Sequence, residues 1–180
     1  MHCKRFPGFQ RGLTLIEICI LLAIVSILAG TALPSFDQML KTRRLESQAA
    51  ELALDLRYVR SEAVARNEGV RVSFRNSAGG SCTMIHTGPA ADCDCSPEGQ
   101  GQCINGAQLL KLTGYRTSAG VAVNANVASM RFDPHTGTVT PTGSVNVAAS
   151  NGQEVRHVVN IIGRVRSCSP HGNVKYLKPC

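Results

Sequence analysis

Residues 13–33 read LTLIEICILLAIVSILAGTAL, and this run decides the architecture. Its one charge is Glu17. As a helix rising about 1.5 Å per residue, the run is about 31 Å long, close to the roughly 30 Å hydrocarbon core of a bilayer. The residues before it, MHCKRFPGFQRG, hold Lys4, Arg5 and Arg11 and no acid. The run is therefore expected to cross the inner membrane once, with its N-terminus in the cytoplasm. A secretory signal has a shorter apolar region, with small residues at a cleavage site after it. Here Gly12 stands before the run, and a carboxylate lies inside it. A carboxylate in a membrane helix is costly without a partner.

Arg11-Gly12-Leu13-Thr14-Leu15-Ile16-Glu17 resembles the prepilin processing motif of type IV pilins and type II secretion pseudopilins. The resemblance implies cleavage after Gly12 by a prepilin peptidase and N-methylation of Leu13. It implies a helix over 13–35 that is first held in the inner membrane and then packs against other pilin subunits in a filament. It also gives Glu17 a partner: the new terminal amine on Leu13 of a neighbouring subunit, a pairing that neutralises the carboxylate and sets register. Pro34 stands where such helices commonly carry proline. With no N–H to donate, it is expected to kink or loosen the helix there. Residues 1–12 are then the cleaved leader. Residues 36–180 are the head, periplasmic at first and extracellular when assembled in a pilus.

Beyond the membrane the helix continues. Over 36–68, Leu45, Ala49, Leu52, Leu56, Val59 and Ala63 recur at spacings of four and three and form one apolar stripe. Lys41, Arg43, Arg44, Arg57, Arg60 and Arg66 lie mostly off the stripe and read as a solvated face. Glu62 and Arg66 form an i,i+4 pair, and Asn67-Glu68-Gly69 is a stop signal. Residues 70–75, VRVSFR, alternate as a half-buried strand does. The stretch 51–74, ELALDLRYVRSEAVARNEGVRVSF, resembles the helix-to-strand segment of the FimT/GspH family within the pilin superfamily.

Residues 76–106 are rich in Gly, Ser, Asp and Cys and read as a long loop, floppy unless stapled. Of eight cysteines, Cys82, Cys93, Cys95 and Cys103 fall here, and Cys168 and Cys180 fall near the end. An exported head favours disulfides among these six over a metal site made with His86, because Cys-x-Cys is not the usual zinc spacing. Four cysteines in the loop allow three pairings, and all three stay open. Short apolar runs at 107–113, 121–123, 128–132, 138–140 and 144–148, separated by Gly, Asn and Pro, suggest an antiparallel sheet. The expected fold is α+β: a long N-terminal helix, half membrane-spanning and half amphipathic, packed on a disulfide-stapled antiparallel head.

The net charge is +7. It is concentrated at the end: after Glu154 there is no acid, while Arg156, Arg164, Arg166, Lys175 and Lys178 are cationic. Residues 155–165 read as one strand, with Arg156, Asn160, Arg164 and Arg166 on one face and Val155, Val159, Ile161 and Val165 on the other. Arg164 and Arg166 would stand roughly 6.7 Å apart, and two guanidinium forks at that spacing can each hold a phosphate oxygen pair. Gly163 has no side chain to block a backbone approaching them. A Cys168–Cys180 disulfide would close a loop carrying Lys175 and Lys178 and preorganise their charge near the arginines. Gly163-Arg164-Val165-Arg166 resembles the GRxR motif near the C-terminus of DNA-binding FimT-type minor pilins. That resemblance implies capture of double-stranded DNA, without sequence preference, for uptake in natural transformation. The alternative is a structural minor pilin, or a GspH-like pseudopilin at a type II secretion filament tip, that does not bind DNA. No nucleophile, base and oxyanion set is legible, and no nucleotide-binding loop, so neither an enzyme nor a cofactor is expected.

Overall fold

The computed structural model describes Gly12 and residues 14–180, without the side chains of residues 31–34. The expectations placed on residues 1–11, on Leu13 and on the Pro34 side chain lie outside the described residues. One helix, α1, runs Leu15–Arg66. Thr14 caps it: Glu17 N donates to Thr14 Oγ1 at 3.3 Å, and Ile18 N donates to Thr14 O at 3.2 Å. Glu17 is thus at the N3 position of a Thr-x-x-Glu capping sequence, at the end of the helix where the macrodipole favours a carboxylate. The other end stops at Asn67, whose φ of 53° is left-handed, and Glu68 N donates to Ala63 O at 3.2 Å.

The chain divides into two units, Met1–Met39 and Leu40–Cys180. In the first, the apolar side chains of α1, among them Leu15, Ile16, Leu22 and Val25, are exposed, and α1 is long and apolar enough to cross a membrane. In the second, all six residues of the predicted stripe are buried, and they form the centre of the head's core.

The strands are β1 (Val70–Ser77), β2 (Gly80–Thr87), β3 (Cys93–Cys95), β4 (Gly101–Cys103), β5 (Leu109–Arg116), β6 (Val121–Ala125), β7 (Ser129–Phe132), β8 (Val139–Thr140), β9 (Gly143–Ala149), β10 (Glu154–Val159) and β11 (Val165–Cys168). They pair antiparallel in a five-stranded sheet, β5-β2-β1-β7-β8, a four-stranded sheet, β11-β10-β9-β6, and the small ribbon β3-β4. The inward Val72, Phe132 and Met130 of the first sheet, and Val145, Val147, Val155 and Val159 of the second, pack in one cluster with the α1 stripe. Lys111 of β5 reaches back to α1, its Nζ 2.7 Å from Asp55 Oδ1 and 3.2 Å from Glu51 Oε1.

The region read as a loop over 76–106 contains β2, β3 and β4, so that expectation is corrected. β2 is buried on both faces and therefore shows no alternation. The Cys82–Cys95 disulfide fastens the ribbon to it, and Cys93–Cys103 joins the two strands of the ribbon. The segment covers the outer face of β1 and β2. Arg75 Nη2 donates to Ala90 O at 3.0 Å, and His86 is fully buried with its Nε2 2.9 Å from Ser73 Oγ. The staple gives the sheet a second covered face.

Candidate nucleic-acid interface

The expected strand over 155–165 is instead a hairpin. β10 and β11 pair through Val159↔Val165, Val158↔Arg166, His157↔Ser167 and Arg156↔Cys168. Ile161, Ile162 and Gly163 form the loop. Gly163 N donates to Asn160 O at 2.9 Å, Arg164 N donates to Asn160 Oδ1 at 2.9 Å, and Asn160 N donates to Arg164 O at 3.2 Å. Gly163 has φ 72°, the left-handed residue that closes a three-residue hairpin loop. Two adjacent isoleucines disguised this turn as strand. Ile161, expected inside, is 62% exposed, because turn chemistry at Asn160 and Gly163 outweighed alternation.

The hairpin end carries the two arginines. Arg164 and Arg166 are exposed, and neither side chain has a hydrogen bond or ion pair among the described residues. Being two residues apart, they project to the same side of the ladder. Arg156 is not equivalent: its Nε donates to Asn146 Oδ1 at 2.8 Å, and Glu154 lies 3.9 Å from its Nη2. Gly163 is buried, and a Cβ there would lie 2.8 Å from Gly137 O. Its hydrogen in place of a side chain admits the β7–β8 turn of this same chain, and it sets the loop beneath Arg164.

Lys175 and Lys178 lie elsewhere. Cys168–Cys180 closes the C-terminal loop, and Ser169 N donates to Lys178 O at 2.9 Å. Gln153 Nε2 donates to Asn173 O at 3.1 Å, and Asn173 Nδ2 donates to Gly152 O at 2.9 Å. These bonds fix the loop to the β9–β10 turn, four residues along β11 from Arg164 and so about 13 Å away. The loop is thus tied at the end of β11 away from Arg164, while Arg166 stands two residues from Cys168. Tyr176 and Leu177 face α1 there, lining a cleft with Arg43 and Glu46.

Between the two ends, His157 of β10 is buried, its Nδ1 2.8 Å from Ser167 Oγ. Burial pushes its pKa down to about 4, a backbone contact at Ala49 opposes the shift, and the nearby Arg57 charge adds to it. One residue near the arginines had no sequence signal. Arg60, assigned to the solvated face of α1, lies across Gly137 and Gly163. Helical periodicity shows which face carries Arg60, not which distant turn meets it.

No curated protein matches the chain. Among solved structures, the type IV minor pilin FimU of Pseudomonas aeruginosa is 19% identical, covering 69% of this chain and 87% of that one with a TM-score of 0.48. The minor pseudopilin EpsH of the Vibrio cholerae type 2 secretion system is 12% identical, covering 69% and 96% with a TM-score of 0.49. The family model described as type II transport protein GspH matches residues 48–163, well over half of the chain, from the second half of α1 to Gly163. With that match over its helix and antiparallel head, this chain belongs to the GspH family.

Proposed function

We propose that this chain is a minor pilin that binds double-stranded DNA without sequence preference and serves its uptake in natural transformation. The observation that carries the reading is the exposed end of the last hairpin, where Arg164 and Arg166 stand side by side without a carboxylate partner. A guanidinium fork suits phosphate oxygens, and contacts to the backbone alone give affinity without reading bases. Two such contacts predict a slope of log affinity against log salt of at least about −2. Cleavage after Gly12, methylation of Leu13 and pairing of Glu17 with a neighbour's amine place the subunit in a filament, leaving the head free to meet DNA. The chain acts by binding and not by turnover.

A direct test is a duplex gel shift with the full-length chain in nonionic detergent. The wild type should bind, with affinity falling steeply as salt rises. Arg164→Gln combined with Arg166→Gln should abolish the shift while the melting temperature stays within a few degrees. Binding that survives the double substitution removes the reading.

A second reading has its own support. The family description concerns type II transport, and the hairpin tip shows two large apolar side chains, Ile161 and Ile162, to solvent. On that reading the tip contacts another subunit, in a pilus or a secretion filament. Deleting the gene would then abolish pili or secretion, whereas the DNA reading expects lost uptake with filaments intact.

A further inference from the structure

The reading of the hairpin as a DNA site leaves unexplained why α1 extends an arginine onto it. Two turns, far apart in sequence, converge under Arg60. One is the β7–β8 turn ending at Gly137, with φ 64°, and the other is the hairpin loop ending at Gly163. A Cβ on Gly137 would lie 3.0 Å from Arg60 Nε and 3.1 Å from Nη2, and one on Gly163 would lie 3.2 Å from Arg60 Cδ. The side chain therefore rests on two glycine backbones, in space that a side chain at either position would fill.

This close packing satisfies none of its donors. A guanidinium has five N–H groups, yet Arg60 has no hydrogen bond and no ion pair among the described residues. Neighbouring acceptors are engaged elsewhere. Asp133 Oδ1, at the start of the same turn, accepts from His135 N at 3.0 Å, Thr136 N at 2.9 Å and Thr136 Oγ1 at 2.9 Å. Ile161 O accepts from Val139 N at 2.8 Å. Glu62, two residues along α1 and so on another face, is bonded to Arg66 at 2.6 Å. Arg60 is thus a cation located by packing, with its fork unused, beside the loop that leads into Arg164.

We propose that Arg60 makes a third phosphate contact, so that α1 and the final hairpin grip one phosphodiester backbone together. The proposal rests on the DNA reading and extends it to a residue outside the C-terminal segment. A fork held on a glycine platform loses little freedom on binding, and that favours it over the flexible lysines of the C-terminal loop.

The test is fluorescence anisotropy of a labelled duplex across a salt series, using the full-length chain in nonionic detergent. Wild type should give a slope near about −3. Arg60→Gln should bind about tenfold more weakly, with a slope shallower by about one. Arg60→Lys, which keeps the charge, should keep the slope. Wild-type affinity and slope in Arg60→Gln overturn the inference. Weaker binding with an unchanged slope also overturns it, because Arg60 would then only support the hairpin. If Arg60→Gln does not fold, Arg60→Met, which keeps the aliphatic stem and removes the charge, decides: a slope shallower by about one supports the proposal, and the wild-type slope overturns it. A wild-type chain that binds no duplex defeats the DNA reading and this inference together. Loss in the Arg164 and Arg166 double variant with wild-type affinity and slope in Arg60→Gln defeats this inference alone; retention in the double variant defeats the hairpin reading and the joint grip with it.

Discussion

The final hairpin and the C-terminal loop each carry a pair of cations, two arginines on the one and two lysines on the other. Arg164 stands on a loop fixed by Asn160 and the left-handed Gly163, and Arg166 on β11 beside it, with no acid bonded to either among the described residues. Lys175 and Lys178 stand on a loop tied by a disulfide and by hydrogen bonds to the β9–β10 turn, beside Glu154, which lies 3.4 Å from His171 Nε2. The composition of the last 26 residues treats both pairs alike. No side-chain partner holds Lys175 or Lys178 among the described residues either, so the difference lies in where each backbone is fixed: one at the tip of the hairpin, the other at the opposite end of β11.

The largest expected effect does not distinguish the two ends and calibrates the rest. His157 lies between them, and its folded pKa of about 4 is below the ordinary 6.5. The unfolded chain therefore takes up the proton first. Stability should be full above about pH 6.5 and fall between there and about pH 4, by as much as about 3 kcal/mol. His86, also pushed down by burial, acts in the same sense; Asp55, pushed up by burial, acts in the opposite one. Melting temperature against pH checks this, and His157→Gln should flatten the curve.

Opening the C-terminal loop comes next. Cys168→Ser with Cys180→Ser should cost roughly 2–3 kcal/mol, measured by denaturant titration, because a loop closed over a sequence separation of 12 is released. Duplex affinity should not change if the two ends are independent. A large loss of affinity would break the comparison and restore the disulfide to the site.

Gly163→Ala acts at the other end. The left-handed φ and the 2.8 Å approach of Gly137 O should together cost about 1–2 kcal/mol. Here affinity should fall with stability, because the loop that presents Arg164 and supports Arg60 is displaced. The smallest effect is expected of Lys175→Gln with Lys178→Gln: less than about a twofold loss of affinity at moderate salt, because exposed charges on a loop tied away from Arg164 are screened. A loss as large as that expected from Arg164→Gln would mean that the duplex spans both ends.

Much of the fold was legible because its signals are local. The apolar run over 13–33 needs only length and composition. The stripe from Leu45 to Ala63 is a period of a single helix, and all of it is buried. β1, β5, β6, β7, β8 and β9 announced themselves as apolar runs between turn residues. β2 did not, because a strand covered on both faces lacks alternation, and its cover is the cysteine segment that read as a loop. The hairpin over 154–168 was hidden by Ile161 and Ile162, which are apolar and yet exposed at its tip.

By itself the sequence determined the helix, the anchor, the antiparallel head and the presence of cations near the end, since each depends on residues close together in the chain. Only the tertiary structure decided which cations share a place. It tied the loop of Lys175 and Lys178 to the β9–β10 turn, and it brought Arg60 to Gly163 across 103 residues. The physical reason is that such meetings depend on how turns from distant segments pack. Helix and strand periods fix which way a side chain faces; packing of the turns fixes what it meets.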